Sequence, residues 1–410
     1  MPQASEQTHQ LAPGGTESQI RKLDAGERAI AIEWADGHKS KFHYLWLRYA
    51  CACKLCGNPE SGVGSLLITD FATDIAPQSV ALNNEGKVVV LWQPDGHRSE
   101  YNAEWLRLWC YSDVERKRRK FRPKVWRAKS LKSIPTVAFS EATQSDSGRL
   151  EMLTLLRDYG LVLVKGGPVS PQTIEDVAAR VGCIHESLML KRVSNIVTNQ
   201  KVKLITDTPM RIWPHTDQCY RHSPPGITFF QCLETAADGG GASTMADGFA
   251  IAEHLRQTDP EAFRLLSTVP QRFQRHLPNE TAQYADSHII SLDIDGDVTG
   301  IRYAHRVTAA PLSVSEELIE PMYRAIRKLV ELMKSEEFVV SFVIEPGDTL
   351  AFDNHRVLHG RTEYDASRGR RHLLRCEVDR EEHHSNLRLL LRKAGRLREA
   401  LEVYPHGALH

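Results

Sequence analysis

Pro346-Gly347-Asp348-Thr349-Leu350-Ala351-Phe352-Asp353-Asn354-His355-Arg356-Val357-Leu358-His359-Gly360-Arg361 places a tight turn, an apolar run, a second turn signal and a histidine in one short segment. Thr349–Phe352 reads as a strand, and with Phe338–Ile344 before it the Glu345-Pro346-Gly347-Asp348 turn predicts a hairpin in a sheet core. His359 follows on extended chain, and further on Arg371 opens the apolar run His372-Leu373-Leu374. A guanidinium at the head of such a strand can make a two-point contact with the far carboxylate of a dicarboxylic acid.

A lone histidine on a strand is ordinarily structural, so His359 gains meaning only from partners upstream. Pro214-His215-Thr216-Asp217 supplies them, although with 18 histidines in the chain one His-x-Asp triplet is expected by chance. On extended chain residues i and i+2 point the same way, so His215 and Asp217 share a face. Two imidazoles and one carboxylate on one octahedral face, with the remaining positions open, are what a non-haem Fe(II) oxygenase requires.

Outward from this core the chain changes texture. Its 410 residues, with 52 basic against 52 acidic side chains, 41% hydrophobic and 25% charged, describe an ordinary globular protein and exclude a disordered or fibrous one. Zero formal net charge argues against bulk nucleic-acid binding. No apolar run approaches the roughly 20 residues that span a bilayer, and the N-terminus has no apolar signal core, so a cytoplasmic protein is expected. Residues 1–18 read as a disordered tail, 19–115 as a small β-rich domain with strands such as Ala29–Trp34 and Lys87–Trp92, 116–130 as a basic linker, and 131–410 as the larger domain. In the larger domain helices are expected at Gln172–Val181, Glu316–Ser335 and Asn386–Leu401, and a strand at Leu161–Val164. No internal repeat of 20–50 residues is visible.

Three of the eight cysteines crowd together as Cys51-x-Cys53-x-x-Cys56. Thiols at that spacing can converge in one turn and need a fourth ligand to close a tetrahedron, with zinc the metal that thiolates favour. His97, beside the Asp95-Gly96 turn, is the candidate; His38, His43 and Cys110 are also near in sequence. A closed site of this kind is structural.

Together these motifs, with Pro224-Pro225-Gly226, Gly239-Gly240, Asp247-Gly248-Phe249 and Pro94-Asp95-x-His97-x-Ser99, resemble the gamma-butyrobetaine and trimethyllysine hydroxylase branch of the Fe(II)/2-oxoglutarate dioxygenases. The likeness runs over roughly residues 25–395, and the taurine dioxygenases are wider relatives. It implies an α+β protein: a double-stranded β-helix (jelly-roll) catalytic domain with a small zinc-binding N-terminal domain. It implies iron on His215, Asp217 and His359, 2-oxoglutarate on Arg371 with Ser243 or Thr244 adding a hydroxyl, and zinc on Cys51, Cys53, Cys56 and His97; Arg370 and Arg375 are close enough in sequence to substitute for Arg371. It also implies a homodimer acting on a small molecule with dioxygen, without nucleic acid or membrane as partner.

At positions that carry cage aromatics in gamma-butyrobetaine hydroxylases, this chain has Asp207, Gln218 and Glu377. Carboxylates suit a cation that can donate hydrogen bonds, whereas a quaternary ammonium has no N–H to give. The expected substrate is therefore a small amine-bearing cationic or zwitterionic acid, with Asp207, Glu377 and Tyr303 as contacts, unless the two carboxylates face solvent or pair with Arg211 and Arg375. Hydroxylation of a trimethylammonium compound is the alternative, with Trp213, Tyr220 and Tyr303 rebuilding an aromatic cage. A catalytically inactive, zinc-containing scaffold is the alternative of another class.

Overall fold

Alternating burial organises the first of two units into which the chain divides, Met1–Lys120 and Phe121–His410. The computed structural model describes residues 16–58, 63–186, 191–197, 208–236, 240–277, 281–365, 367 and 370–402. In the first unit, Ile30, Ile32 and Trp34 of the strand Ala29–Trp34 point inward, as do Val88, Val90 and Trp92 of Val88–Trp92. Each of these strands is the middle of a three-stranded antiparallel sheet, Ile20–Ala25 and Lys39–His43 flanking the first, Pro77–Leu82 and Arg98–Tyr101 the second. A short helix follows each sheet, Tyr44–Tyr49 and Ala103–Leu108, and all of them close on one core with Phe42, Leu47 and Tyr101. Most of the expected tail, residues 1–15, lies outside the described residues; Thr16–Ser18 forms a 3-10 turn.

The second unit is a mixed α/β body built on two sheets. The larger runs, in spatial order, Ser194–Val197, His372–Val378, Ile227–Glu234, Thr349–Asp353, Leu161–Lys165 and Thr136–Ala138. The smaller runs Ile212–His215, Val357–Arg361, Ser243–Asp247 and Val339–Phe342. Leu163, Phe230, Leu350 and Phe352 from the larger sheet meet Met245 and Val357 from the smaller in one apolar cluster. The outer face of the larger sheet is covered by helices Asp146–Tyr159, Pro171–Ala179 and Arg380–Lys393, and that of the smaller by Gly248–Thr258, Pro260–Thr268 and Glu316–Met333. Strands covered on both faces read as continuous apolar runs, which is why Leu161–Val164 shows no alternation.

Two sequence readings need correction. Val339–Phe342 and Thr349–Asp353 are not a hairpin: the first pairs with Ser243–Asp247 in the smaller sheet and the second with Leu161–Lys165 and Ile227–Glu234 in the larger. The Glu345–Asp348 turn instead carries the chain between sheets, held where Gly347 N–H donates to the Cys232 carbonyl at 2.9 Å and the Asp348 carboxylate accepts from Gly166 N–H at 3.0 Å. Asp113–Arg118 is a helix capped by the Ser112 hydroxyl, and Trp126 is buried with its backbone N–H on the Asp247 carboxylate. The terminal helix is two, Arg380–Lys393 and Leu397–Glu402, parted at Gly395, whose φ of +72° continues no right-handed helix.

Candidate active site

The ladder of the smaller sheet brings the two histidines together. His215 ends Ile212–His215 and pairs directly across the antiparallel ladder with His359 of Val357–Arg361, so both rings stand on one face, 4.4 Å between centroids. His359 is wedged against Phe352 and Phe230, at 4.7 and 5.6 Å between ring centroids. His215 Nδ1 faces the Trp213 carbonyl at 3.0 Å, and as donor there it leaves Nε2 as the lone-pair nitrogen.

Asp217 lies past the strand end and is held otherwise. Its N–H donates to the Asn354 side-chain oxygen at 2.7 Å, while the Asn354 amide donates back to the Asp217 carbonyl at 3.2 Å and to the Pro225 carbonyl at 3.1 Å. Thr216 N–H donates to the Tyr303 carbonyl at 2.8 Å, and Tyr303 N–H to the Thr216 hydroxyl at 3.0 Å. The glycine of Pro224-Pro225-Gly226 is obligatory, because a Cβ there would stand 2.1 Å from the Arg380 nitrogen.

The result is three donors in one place. The Asp217 carboxylate approaches His215 Nε2 at 3.4 Å and His359 Nε2 at 3.3 Å, and all three ligand atoms lie within 4.8 Å of one another. Two neutral imidazoles and one carboxylate on one face fit a divalent iron. Burial, and then His359, push the His215 ring down to about 4, so it is uncharged at neutral pH. Burial alone would favour the neutral acid at Asp217, but the Arg375 guanidinium at 3.0 Å, His359 and His215 overcome it and hold the carboxyl well below its usual range.

Around these donors sit further charged and polar groups. Arg375 bridges Asp217 and the buried Glu377, which also accepts from the Gln218 amide at 2.9 and 3.2 Å. Burial raises Glu377 despite Arg375. Arg306 lies 3.3 Å from His215 Nε2. Only spacing along the His372–Val378 strand, which puts residues 375 and 377 on one face, signalled the first of these; nothing in the sequence signalled Arg306.

Arg371 is buried at the head of that same strand, and burial followed by the nearby Arg361 lowers it to about 10. Gly241, at φ +68°, lies against it: a Cβ there would sit 2.7 Å from Arg371 Cδ. Ser243 pairs with Arg361 and Met245 with His359, so Ser243 shares the face of His359; Thr244, opposite Gly360, is on the other face. Tyr303 lines a 210 Å³ cavity with Trp213, Pro214, His305, Met333 and Lys334. Trp213 already carries Lys334 and Arg211 over its ring, at 4.5 and 5.0 Å, and Tyr220 carries Arg275 at 5.7 Å. Asp207 lies outside the described residues.

In the first unit Cys51, Cys53, Cys56 and His97 also converge, each ligand atom within 4.8 Å of the others and His97 Nε2 at 3.4, 3.7 and 3.4 Å from the three sulfurs in turn. Three thiols and one imidazole fit zinc. Of the competing fourth ligands, His38 contacts Cys110 and His43 contacts Tyr111.

The chain matches known protein families in both units. Residues 118–377 match the model of the taurine catabolism dioxygenase TauD, TfdA family, and residues 21–107 that of the gamma-butyrobetaine hydroxylase-like N-terminal domain. The chain is 34% identical over 368 residues to a gamma-butyrobetaine dioxygenase of Pseudomonas sp. (strain AK-1), covering 88% of this chain and 94% of the relative. It is 29% identical to the gamma-butyrobetaine dioxygenase of Homo sapiens (90% and 97% covered) and 30% to the mitochondrial trimethyllysine dioxygenase of Homo sapiens (85% and 83%). With more than half its length matched, and with iron and 2-oxoglutarate as its cofactors, this chain belongs to the TauD/TfdA family of dioxygenases.

Proposed function

We propose that this enzyme hydroxylates a small cationic or zwitterionic acid, with 2-oxoglutarate and dioxygen as co-substrates. In this reading His215, Asp217 and His359 hold the iron, and the observation that carries it is their convergence on one buried face. The bound metal and co-substrate supply the oxidising power: 2-oxoglutarate becomes succinate and carbon dioxide while one oxygen atom enters a substrate C–H bond. The chain's own part is orientation and exclusion of water. Arg371 takes the far carboxylate of 2-oxoglutarate, and of the two hydroxyl candidates Ser243, on the face of His359, is the better placed to assist. Phe230 and Phe352 keep the His359 side dry.

The substrate assignment rests on Glu377 and Gln218, which put a buried carboxylate and an amide beside Asp217. A carboxylate and an amide held together in this way favour a cation with N–H groups. Asp207 and Tyr303 belong to the same proposal. A trimethylammonium compound is the second reading, favoured by the names of the relatives. Succinate release from anaerobically purified, Fe(II)-loaded protein tests both: stimulation by primary amino or guanidino acids supports the first, stimulation by betaines alone the second. No stimulation by any compound, with wild type equal to His215→Ala in uncoupled turnover, would leave an inactive scaffold.

The two sheets of the second unit fit the halves of a double-stranded β-helix, and the Cys3His cluster a structural zinc site. The domain limits follow the same proposal, 19–115 for the zinc domain and 131–410 for the catalytic one. A cytoplasmic homodimer completes it. Sedimentation velocity giving twice the chain mass is the expected result.

A further inference from the structure

The two halves of the first unit share more than a strand count. Asp36-Gly37-His38-x-Ser40 and Trp46-Leu47-Arg48-x-x-Cys51 reappear as Asp95-Gly96-His97-x-Ser99 and Trp105-Leu106-Arg107-x-x-Cys110, each 59 positions later (97 − 38 = 59). Each half is a three-stranded antiparallel sheet followed by a helix, and in each the first strand pair has a register irregularity at the corresponding place, Ile20/Lys22 and Pro77/Ser79.

The contacts repeat with the halves exchanged. His97 of the second half meets Cys51 of the first at 3.4 Å, and His38 of the first meets Cys110 of the second at 3.4 Å. Ser99 donates to Cys51 and Ser40 to Cys110, both at 3.0 Å, and each serine accepts from an indole N–H, Trp92 at 2.9 Å and Trp34 at 2.7 Å. Arg48 reaches Asp95 at 3.5 Å and Arg107 reaches Asp36 at 3.1 Å. Two equivalent ligand positions related by a pseudo-twofold follow from this exchange.

At the same offset Cys53 corresponds to Ser112 and Cys56 to Glu115. Arg48 donates to Cys56 Sγ at 3.3 Å, and Arg107 donates to the Glu115 carboxylate at 2.7 Å. Three thiolates, a neutral imidazole and a zinc ion sum to a single net negative charge, which Arg48 meets. The lone carboxylate of Glu115 presents the same charge to Arg107. Arg118 and Arg119 also approach Glu115, at 3.7 and 3.8 Å, an environment that disfavours a cation.

We infer that the first unit is an internally duplicated β-β-β-helix element in which His38, Cys110, Ser112 and Glu115 form a dormant second metal position, its metal–thiolate charge replaced by the Arg107–Glu115 pair. This rests on the zinc reading of Cys51, Cys53, Cys56 and His97.

The test is the number of thiolate-bound metals in the full-length chain, read from the sulfur-to-Co(II) charge-transfer absorption after exchange, to which the sulfur-free His215/Asp217/His359 site contributes nothing. One is expected for wild type and two for Ser112→Cys/Glu115→Cys, returning to one when Cys110→Ser is added. A folded Ser112→Cys/Glu115→Cys protein that keeps one, or a wild type that takes two, would overturn the inference. A wild type with none would overturn the zinc reading as well. Should Ser112→Cys/Glu115→Cys fail to fold, the reverse exchange Cys53→Ser/Cys56→Glu decides: a folded protein whose melting is indifferent to chelator supports the equivalence, and collapse opposes it.

Discussion

Removing the carboxylate of Asp247 should cost this enzyme a large part of its stability without touching the proposed iron ligands. Asp247 and Arg356 are a fully buried pair, with both side chains at 0% exposure. Arg356 Nε and Nη2 donate to the two carboxylate oxygens at 3.1 and 2.8 Å, and the guanidinium also donates to the Asp158 and Lys124 carbonyls at 2.9 and 2.8 Å. The carboxylate in turn accepts from Trp126 N–H and, as the cap of Gly248–Thr258, from Phe249 N–H, both at 3.0 Å. Breaking a buried pair by deleting one partner costs about 3–5 kcal/mol, because the remaining charge stays buried, and loss of the cap adds about 1 kcal/mol. At about 2–4 °C per kcal/mol in a domain of this order, Asp247→Ala should melt roughly 10 °C lower or more. Urea unfolding of the apoprotein, followed by circular dichroism, measures this directly. Asp247→Leu/Arg356→Met should recover only part of the loss, since an apolar pair leaves no orphaned charge but takes the carboxylate acceptor from the Trp126 and Phe249 N–H groups. If Asp247→Ala unfolds within about 1 kcal/mol of wild type, the pair is not the strut described here.

Asn354→Ala should lower Fe(II) affinity roughly 10–100-fold through Asp217 while zinc content stays constant, as metal titration and mass spectrometry would show. Gly241→Val, whose Cβ would meet Arg371 Cδ at 2.7 Å, should raise the KM for 2-oxoglutarate by about 10-fold or more, with kcat changed less. Unchanged KM would detach Arg371 from the co-substrate. His383, pushed down to about 4 by burial and donating its Nε2–H to the Leu153 carbonyl at 2.9 Å, titrates higher when unfolded. Between about pH 6.5 and 4 the unfolded chain therefore binds the extra proton, and stability falls as pH falls through that window, by up to about 3 kcal/mol. His383→Gln should flatten that part of the pH–stability curve; an unchanged slope would remove His383 from acid unfolding.

What the sequence discloses here is what local chemistry repeats in one dimension. Ala29–Trp34 alternates because one face is wet, and Cys51-x-Cys53-x-x-Cys56 advertises its geometry because three ligands lie in one turn. The turn at Glu345–Asp348 misleads for the opposite reason: a tight turn between two apolar runs has the same composition whether the strands pair or part company, and here Thr349 joins Gln231 and Val164 rather than Phe342. Arg306 was illegible because its significance comes from distance to His215, which folding across remote sequence creates. The duplication of the first unit escaped for a related cause. Its two copies keep the residues that make cross-contacts and have exchanged most of the rest, so a pattern of eight matches in a long offset becomes visible only when the contacts are seen to swap partners.

The three proposed iron ligands are held by two kinds of constraint, and the difference explains where the sequence invests polar residues. His215 and His359 face each other across a ladder, so register alone fixes their backbones and the flanking residues are free to be apolar. Asp217 has left the strand, and its successor Gln218 has a φ of +53°, the one positive value among described residues other than glycine. Such backbone persists only where surroundings over-determine it. Asn354 clamps Asp217 from one side, Thr216 and Tyr303 exchange hydrogen bonds on another, and the Gln218 amide is tied to Glu377. Glu377 therefore acts on the metal face twice, through Gln218 on the backbone of Asp217 and through Arg375 on its carboxylate. A substrate cation that engages Glu377 would loosen its hold on Arg375, and so couple substrate arrival to the charge that Asp217 presents to the metal. That coupling makes Glu377→Gln informative in two readouts at once: substrate affinity should fall if the cation contact is real, and iron affinity should change in the same variant even without substrate. A variant that alters neither would show the carboxylate to be a passive partner of Arg375.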